Sequence, residues 1–135
     1  ILGNLAPSAS LPGEIITNPN HNFYSYTAKY LDDNGAELKV PAELNDQQIK
    51  AIQKTAIAAF KVLFCEGMAR VDCFLTDDDS VLINEGNTIP GLTPISMYPK
   101  MWAATDLATQ DLIVQLITLA LEKFDRLQSL KLSYE

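Results

Sequence analysis

Ala69-Arg70-Val71-Asp72-Cys73-Phe74-Leu75 and Val81-Leu82-Ile83-Asn84-Glu85-Gly86-Asn87-Thr88-Ile89-Pro90-Gly91 are the stretches whose reading decides the fold. Two apolar-rich runs flank the short polar connection Thr76 to Ser80, which is the signature of a β-hairpin. Pairing the strands symmetrically about that connection sets Asp72 opposite Glu85 and Arg70 opposite Asn87. Side chains two apart on a strand share a face, so all four polar groups project from the same side. A slip of one residue would send them to opposite faces.

Directly opposed carboxylates repel unless something positive sits between them. A hard divalent cation does this well, because Mg²⁺ takes oxygen ligands, commonly one or two carboxylates together with phosphate oxygens and water. The hairpin therefore predicts a magnesium–phosphate site on this face. Taken singly, Asp72 and Glu85 are solvated charges near strand ends. Asn87 on the same face, Arg70 beside it and the Thr88-Ile89-Pro90-Gly91 turn favour the site.

The rest of the chain is consistent with one globular domain. Its 135 residues are 47% hydrophobic and 20% charged, enough for a substantial core. A formal net charge of −7 argues against a general nucleic-acid surface, which needs clustered Lys and Arg. It does not exclude a nucleotide, which needs only a few local cations and a metal. Cys65 and Cys73 lack metal-ligand spacing and read as buried free thiols, favouring a reducing, cytoplasmic compartment. No secretory signal is visible. The apolar stretch from Leu112 to Leu121 is interrupted by Gln115 and Thr118 and is too short for a bilayer, so no membrane partner is expected. The opening Ile1-Leu2-Gly3-Asn4 reads as the tail of a strand in a longer chain.

Working outward, Ile1-Leu2, Glu14 to Thr17 and Glu37 to Val40 read as short strands separated by Pro/Gly/Asn-bearing loops. Asn45 with Gln48 forms a capping-box pattern. Apolar spacing through Ile49, Ile52, Ala56, Phe60 and Leu63 predicts a helix that Gly67 stops. A second helix is expected from about Thr105 to Gln128, with Leu112, Leu116, Leu119, Ala120 and Phe124 facing inward. The fold class is α+β, with a mainly antiparallel sheet flanked by helices.

Two further segments carry chemistry. The long polar segment 18–43 contains Phe23-Tyr24-Ser25-Tyr26-Thr27-Ala28-Lys29-Tyr30. Such a segment can close over a nucleotide, with an ammonium meeting phosphate while rings exclude water. The segment Thr88 to Pro99 is stiffened by prolines, and Gly91 permits close backbone approach. Its exposed amides around Gly91 and Ser96-Met97 could hold a carboxylate or a developing oxyanion. His21, the only histidine, sits among loop residues, and no Ser-His-Asp or Cys-His system assembles around it. Neither common glycine-rich phosphate loop is present.

Together, Phe23-Tyr24-x-Tyr26-x-Ala28-Lys29-Tyr30, Ala69-Arg70-Val71-Asp72 and Asn84-Glu85-x-Asn87-Thr88-x-Pro90-Gly91-x-Thr93-x-x-Ser96-x-Tyr98-Pro99 resemble the D-alanine–D-alanine ligases of the ATP-grasp superfamily. The resemblance spans essentially the whole chain, in order and in spacing. It implies residues 1–135 to be a C-terminal ATP-grasp domain fragment, with 18–43 as a lid over substrate and nucleotide. It implies metal ligands at Asp72, Glu85 and Asn87, nucleotide contacts at Lys29, Tyr24 and Phe74, and stabilisers of the tetrahedral intermediate at Arg70 and the Gly91 amide. Ser96 and the Met97 amide match the holders of the second substrate's carboxylate. Tyr30 falls where relatives that make the D-alanine–D-lactate ester often carry histidine.

The implied activity is ATP-dependent joining of two D-alanines for peptidoglycan precursor synthesis, with Mg²⁺ or Mn²⁺ as cofactor, two ions in all, and ATP and D-alanine as substrates. The family's N-terminal and central domains are absent from these residues, so the fragment is expected to be inactive alone; the complete protein is expected to be a homodimer. Rival readings are a D-alanine–D-lactate or other ATP-grasp ligase and, from another class, a non-catalytic nucleotide-binding or interaction domain. Gly86 departs from the family pattern, which usually has a larger residue between the acidic and amide ligands. Glycine costs about 0.5–1 kcal/mol in a strand interior.

Overall fold

The computed structural model describes residues 1–17 and 36–130. Among the described residues nine elements follow one another: β1 Leu2–Gly3, β2 Glu14–Thr17, β3 Ala36–Lys39, α1 Asp46–Val62, β4 Gly67–Met68, β5 Arg70–Leu75, β6 Val81–Asn87, α2 Met97–Ala103 and α3 Thr109–Gln128. All strand pairing among the described residues is antiparallel, but it forms three separate two-stranded sheets, β1–β4, β2–β3 and β5–β6, rather than one. With three helices against them, the architecture is α+β.

The β5–β6 register sets Arg70 against Asn87 and Asp72 against Glu85, as expected, but not by unbroken symmetry. From the turn outward, Leu75 pairs with Val81, Phe74 with Leu82 and Cys73 with Ile83. Continued without interruption, that register would bring Asp72 against Asn84. A bulge between Asp72 and Cys73 absorbs Asn84 as the extra residue and hands Asp72 to Glu85. One extra residue on one strand reverses the alternation beyond it. Leu82 and Glu85, three apart, can therefore share a face.

Helix α1 starts as its sequence dictates. Asn45 Oδ1 accepts the amides of Gln47 and Gln48, and Gln48 Oε1 accepts the amide of Asn45. Gln48 also donates to Asp79 Oδ1 at 2.7 Å, tying the helix start to the hairpin turn. Gly67 does not end this helix. Leu63 is the C-cap, and Phe64 adopts φ 53 beyond it. The Cys65 amide reaches the Phe60 carbonyl and the Phe64 amide that of Lys61, a Schellman closure on a residue other than glycine. Gly67, at φ 81, instead opens β4.

The core lies on both sides of the first strand. Ile1 packs with Ala56, Phe60 and Ala69, and Val71 joins from the hairpin. Leu2 packs with Tyr98, Trp102 and Leu112. Alternation along an extended chain thus joins α1 on one side to α2 and α3 on the other. The Ile1 carbonyl accepts the Ala69 amide at 3.0 Å and the Tyr98 hydroxyl at 2.7 Å. Glu66 anchors α3 through Lys123 and Arg126, whose hydrogen bonds and charge hold its carboxyl below the usual range.

Helix α3 begins at Thr109 rather than Thr105, and a separate helix, α2, precedes it. Thr105 instead joins the connection, accepting the Leu11 amide and donating to the Met101 carbonyl. Leu112 is buried, and Leu116 and Leu119 pack against its cluster. Ala120 and Phe124, expected inward, are exposed.

Candidate active site on the β5–β6 hairpin

Val71 turns toward α1 and the core, so Arg70, Asp72 and Phe74 project from the opposite face of β5. That face has a polar end and an apolar end. Phe74 pairs with Leu82 and both are exposed, giving a flat apolar surface beside Asp72. Leu82 was not marked by the sequence pattern, because its place opposite Phe74 follows only from the register. Cys73 lies on the other face, where burial pushes its thiol up; both cysteines are free.

At the polar end the positive group between the carboxylates belongs to the chain itself. Arg70 Nε meets Asp72 Oδ1 at 2.7 Å and its Nη2 meets Asp72 Oδ2 at 2.8 Å, a bidentate fork. The same Nη2 lies 3.6 Å from Glu85 Oε1. Arg70 and Asp72 are largely shielded, while Glu85 is 59% exposed. Among the described residues, no three His, Cys, Asp or Glu side chains gather into a metal site.

The hard donors on this face are Asp72, Glu85 and Asn87. Asn87 Oδ1 accepts the Ile89 amide at 3.0 Å, which fixes its orientation. A carboxylate oxygen, like an amide oxygen, has two lone pairs, so each donor retains capacity beside its present partner. Two carboxylates and an amide suit a hard divalent ion by donor type. The set fits Mg²⁺ or Mn²⁺.

The following loop is held by packing. Pro90 is buried, and Tyr98 and Trp102 anchor α2 in the core. Thr93 and Ser96 share a hydroxyl–hydroxyl hydrogen bond of 2.7 Å, and the Ser96 amide reaches the Thr93 carbonyl. Ser96 stands at the N-cap of α2 without a side-chain capping bond. Met97, the next residue, is the first of the helix, so its amide is among those with no intrahelical acceptor. A Cβ on Gly91 would lie 2.7 Å from Ser96 Oγ, so glycine lets these two segments meet. Gly86 is different: a Cβ there would only touch Leu63 at 3.9 Å.

The geometry thus brings Arg70, Asp72, Glu85, Asn87 and Phe74 onto one face and brings Gly91 close to Ser96-Met97. Tyr24, Lys29 and Tyr30, together with the proposed lid over most of its length, lie outside the described residues. Among the described residues, no helix is long and apolar enough to cross a membrane.

Residues 1–118 match the family model described as D-ala D-ala ligase C-terminus. The chain is 53% identical over 133 residues to a D-alanine--D-alanine ligase of Oceanobacillus iheyensis, covering 98% of this chain and 36% of that protein. It is 55% identical over 135 residues to a D-alanine--D-alanine ligase of Coxiella burnetii, covering all of this chain and again 36% of the relative. The solved D-alanine-D-alanine ligase from Coxiella burnetii superposes with a TM-score of 0.78 at 46% identity, over 94% of this chain and 32% of that one. The VanG D-Ala:D-Ser ligase from Enterococcus faecalis gives 0.76 at 34% identity, over 87% of this chain and 34% of that one. The chain therefore spans about a third of the length of these relatives. By sequence, by fold and by the spacing of its hairpin and loop motifs, the chain belongs to the D-ala D-ala ligase C-terminus family.

Proposed function

We propose that this chain supplies the metal and oxyanion half of an ATP-dependent D-alanine–D-alanine ligase, acting with the remainder of a ligase chain and contributing to peptidoglycan precursor synthesis in the cytoplasm. The observation that carries this is the register bringing Asp72 to Glu85 and Arg70 to Asn87, in a chain matched by ligases over its whole length. The first D-alanine's carboxylate attacks the γ-phosphorus of ATP, forming an acylphosphate and releasing ADP. The amine of the second D-alanine then attacks the acyl carbon, loses a proton and expels inorganic phosphate, leaving the dipeptide.

Asp72, Glu85 and Asn87 hold Mg²⁺ or Mn²⁺, two ions in all, which neutralise phosphoryl charge when bound. Lys29 serves the nucleotide phosphates from the covering segment, Tyr24 lies near the nucleotide, and Phe74 with Leu82 packs beside the base. The Arg70 guanidinium and the Gly91 amide stabilise the oxyanion of the tetrahedral intermediate. Ser96 Oγ and the Met97 amide hold the second D-alanine's carboxylate. Tyr30 borders the entering amine. The complete ligase is a homodimer in this reading.

Calorimetric titration with MgATP tests the metal face. Binding that requires Mg²⁺ and disappears in Asp72→Asn/Glu85→Gln is the expected result. Mg²⁺-dependent binding that survives the double change would put the ligands elsewhere.

Two finer expectations concern the second substrate. In Gly91→Ala the added Cβ displaces Ser96 Oγ from its present position. The KM for the second D-alanine should then rise roughly tenfold, as for a lost hydrogen bond to a charged group, with little change in the KM for ATP. An unchanged D-alanine KM would remove Ser96 from the carboxylate site. Tyr30 puts no cation beside the incoming ammonium, whereas an imidazolium there would repel it. Product analysis with D-alanine and D-lactate together at neutral pH should give dipeptide; a predominance of ester would refute the role of Tyr30.

A further inference from the structure

We propose that Arg70 and the divalent cation are alternative occupants of the space between Asp72 and Glu85, so that loading the cation releases the guanidinium for its work on the oxyanion. The proposal rests on the metal reading above and goes beyond it. Arg70 uses two of its donors on both oxygens of Asp72, at 2.7 and 2.8 Å, and places one 3.6 Å from Glu85. A guanidinium does not lose its proton in proteins, so its charge can leave the site only by moving.

With Arg70 in place, the two carboxylates and the guanidinium carry one net negative charge. With Arg70 withdrawn they carry two. A divalent ion is drawn far more strongly to the second arrangement, and a guanidinium held a few ångströms from that ion is repelled by it. Each carboxylate keeps a lone pair facing away from Arg70, so the ion can begin to bind before the arginine has left. The fork is specific to planar arginine and is charge-assisted, which keeps the acids together and the guanidinium occupied until the ion arrives. The bulge at Asn84 is what makes the exchange possible, because it brings Glu85 across from Asp72.

Mn²⁺ provides the probe, since its free-ion paramagnetic resonance signal disappears on binding. Titrations at low ionic strength compare the unmodified protein with Arg70→Ala, Arg70→Lys and Asp72→Asn, each checked for folding by circular dichroism. Arg70→Ala is expected to bind Mn²⁺ about tenfold more tightly, the scale of a competing charge-assisted pair removed. Arg70→Lys retains the charge without the fork and should fall between. Asp72→Asn should bind least. An Arg70→Ala affinity equal to or below that of the unmodified protein would overturn the exchange, showing that Arg70 organises the site rather than competing for it. Mn²⁺ binding indifferent to Asp72→Asn would instead overturn the metal reading, and the exchange with it. Should the alanine variant not fold, the unmodified protein still decides: saturating Mg²⁺ should shift the Arg70 Nε–H resonance, and a resonance that stays in place refutes the proposal.

Discussion

Arg70→Ala in the complete ligase should lower turnover by about 10²–10³-fold, the usual consequence of losing one oxyanion donor. The loss arises late. The tetrahedral intermediate concentrates negative charge on one oxygen, and a guanidinium stabilises that charge more than it stabilises the neutral ground-state carbonyl. The same substitution removes the cation that competes for Asp72 and Glu85. Turnover and metal affinity should therefore move in opposite directions, a pattern that loss of a metal ligand cannot give. Asp72→Asn lowers both. Arg70→Lys separates charge from shape, because an ammonium keeps the positive charge but lacks the planar, two-pronged donor geometry of a guanidinium. Near-normal turnover in Arg70→Ala, measured at saturating MgATP and D-alanine, would remove Arg70 from the oxyanion site.

The hairpin was legible because two strands flanking a polar turn leave few registers, and only one of them opposes Asp72 to Glu85. Its mechanism was not legible. Nothing in Ile83-Asn84-Glu85 announces a bulge, since neither Asn84 nor its neighbours require one, yet the register shifts there. Asn45 and Gln48 were readable because capping is local chemistry. The end of the same helix misled for the complementary reason. A Schellman closure needs a left-handed residue, and glycine is the favoured one. Here the helix ends at Val62, and Phe64 takes the left-handed place at φ 53 with its ring in solvent.

Helix α2 begins inside the segment that the sequence reading treats as a proline-stiffened loop, yet proline in a first helical turn gives up an amide that has no intrahelical acceptor anyway. The spacing of Tyr98 and Trp102, one helical turn apart and both buried, was the available signal. The helical period alone points Phe124 inward, whereas its ring is exposed. Helix α3 also carries Ile113, Val114, Ile117 and Leu121 exposed on its outer side, so apolar residues surround it and periodicity could not choose a face.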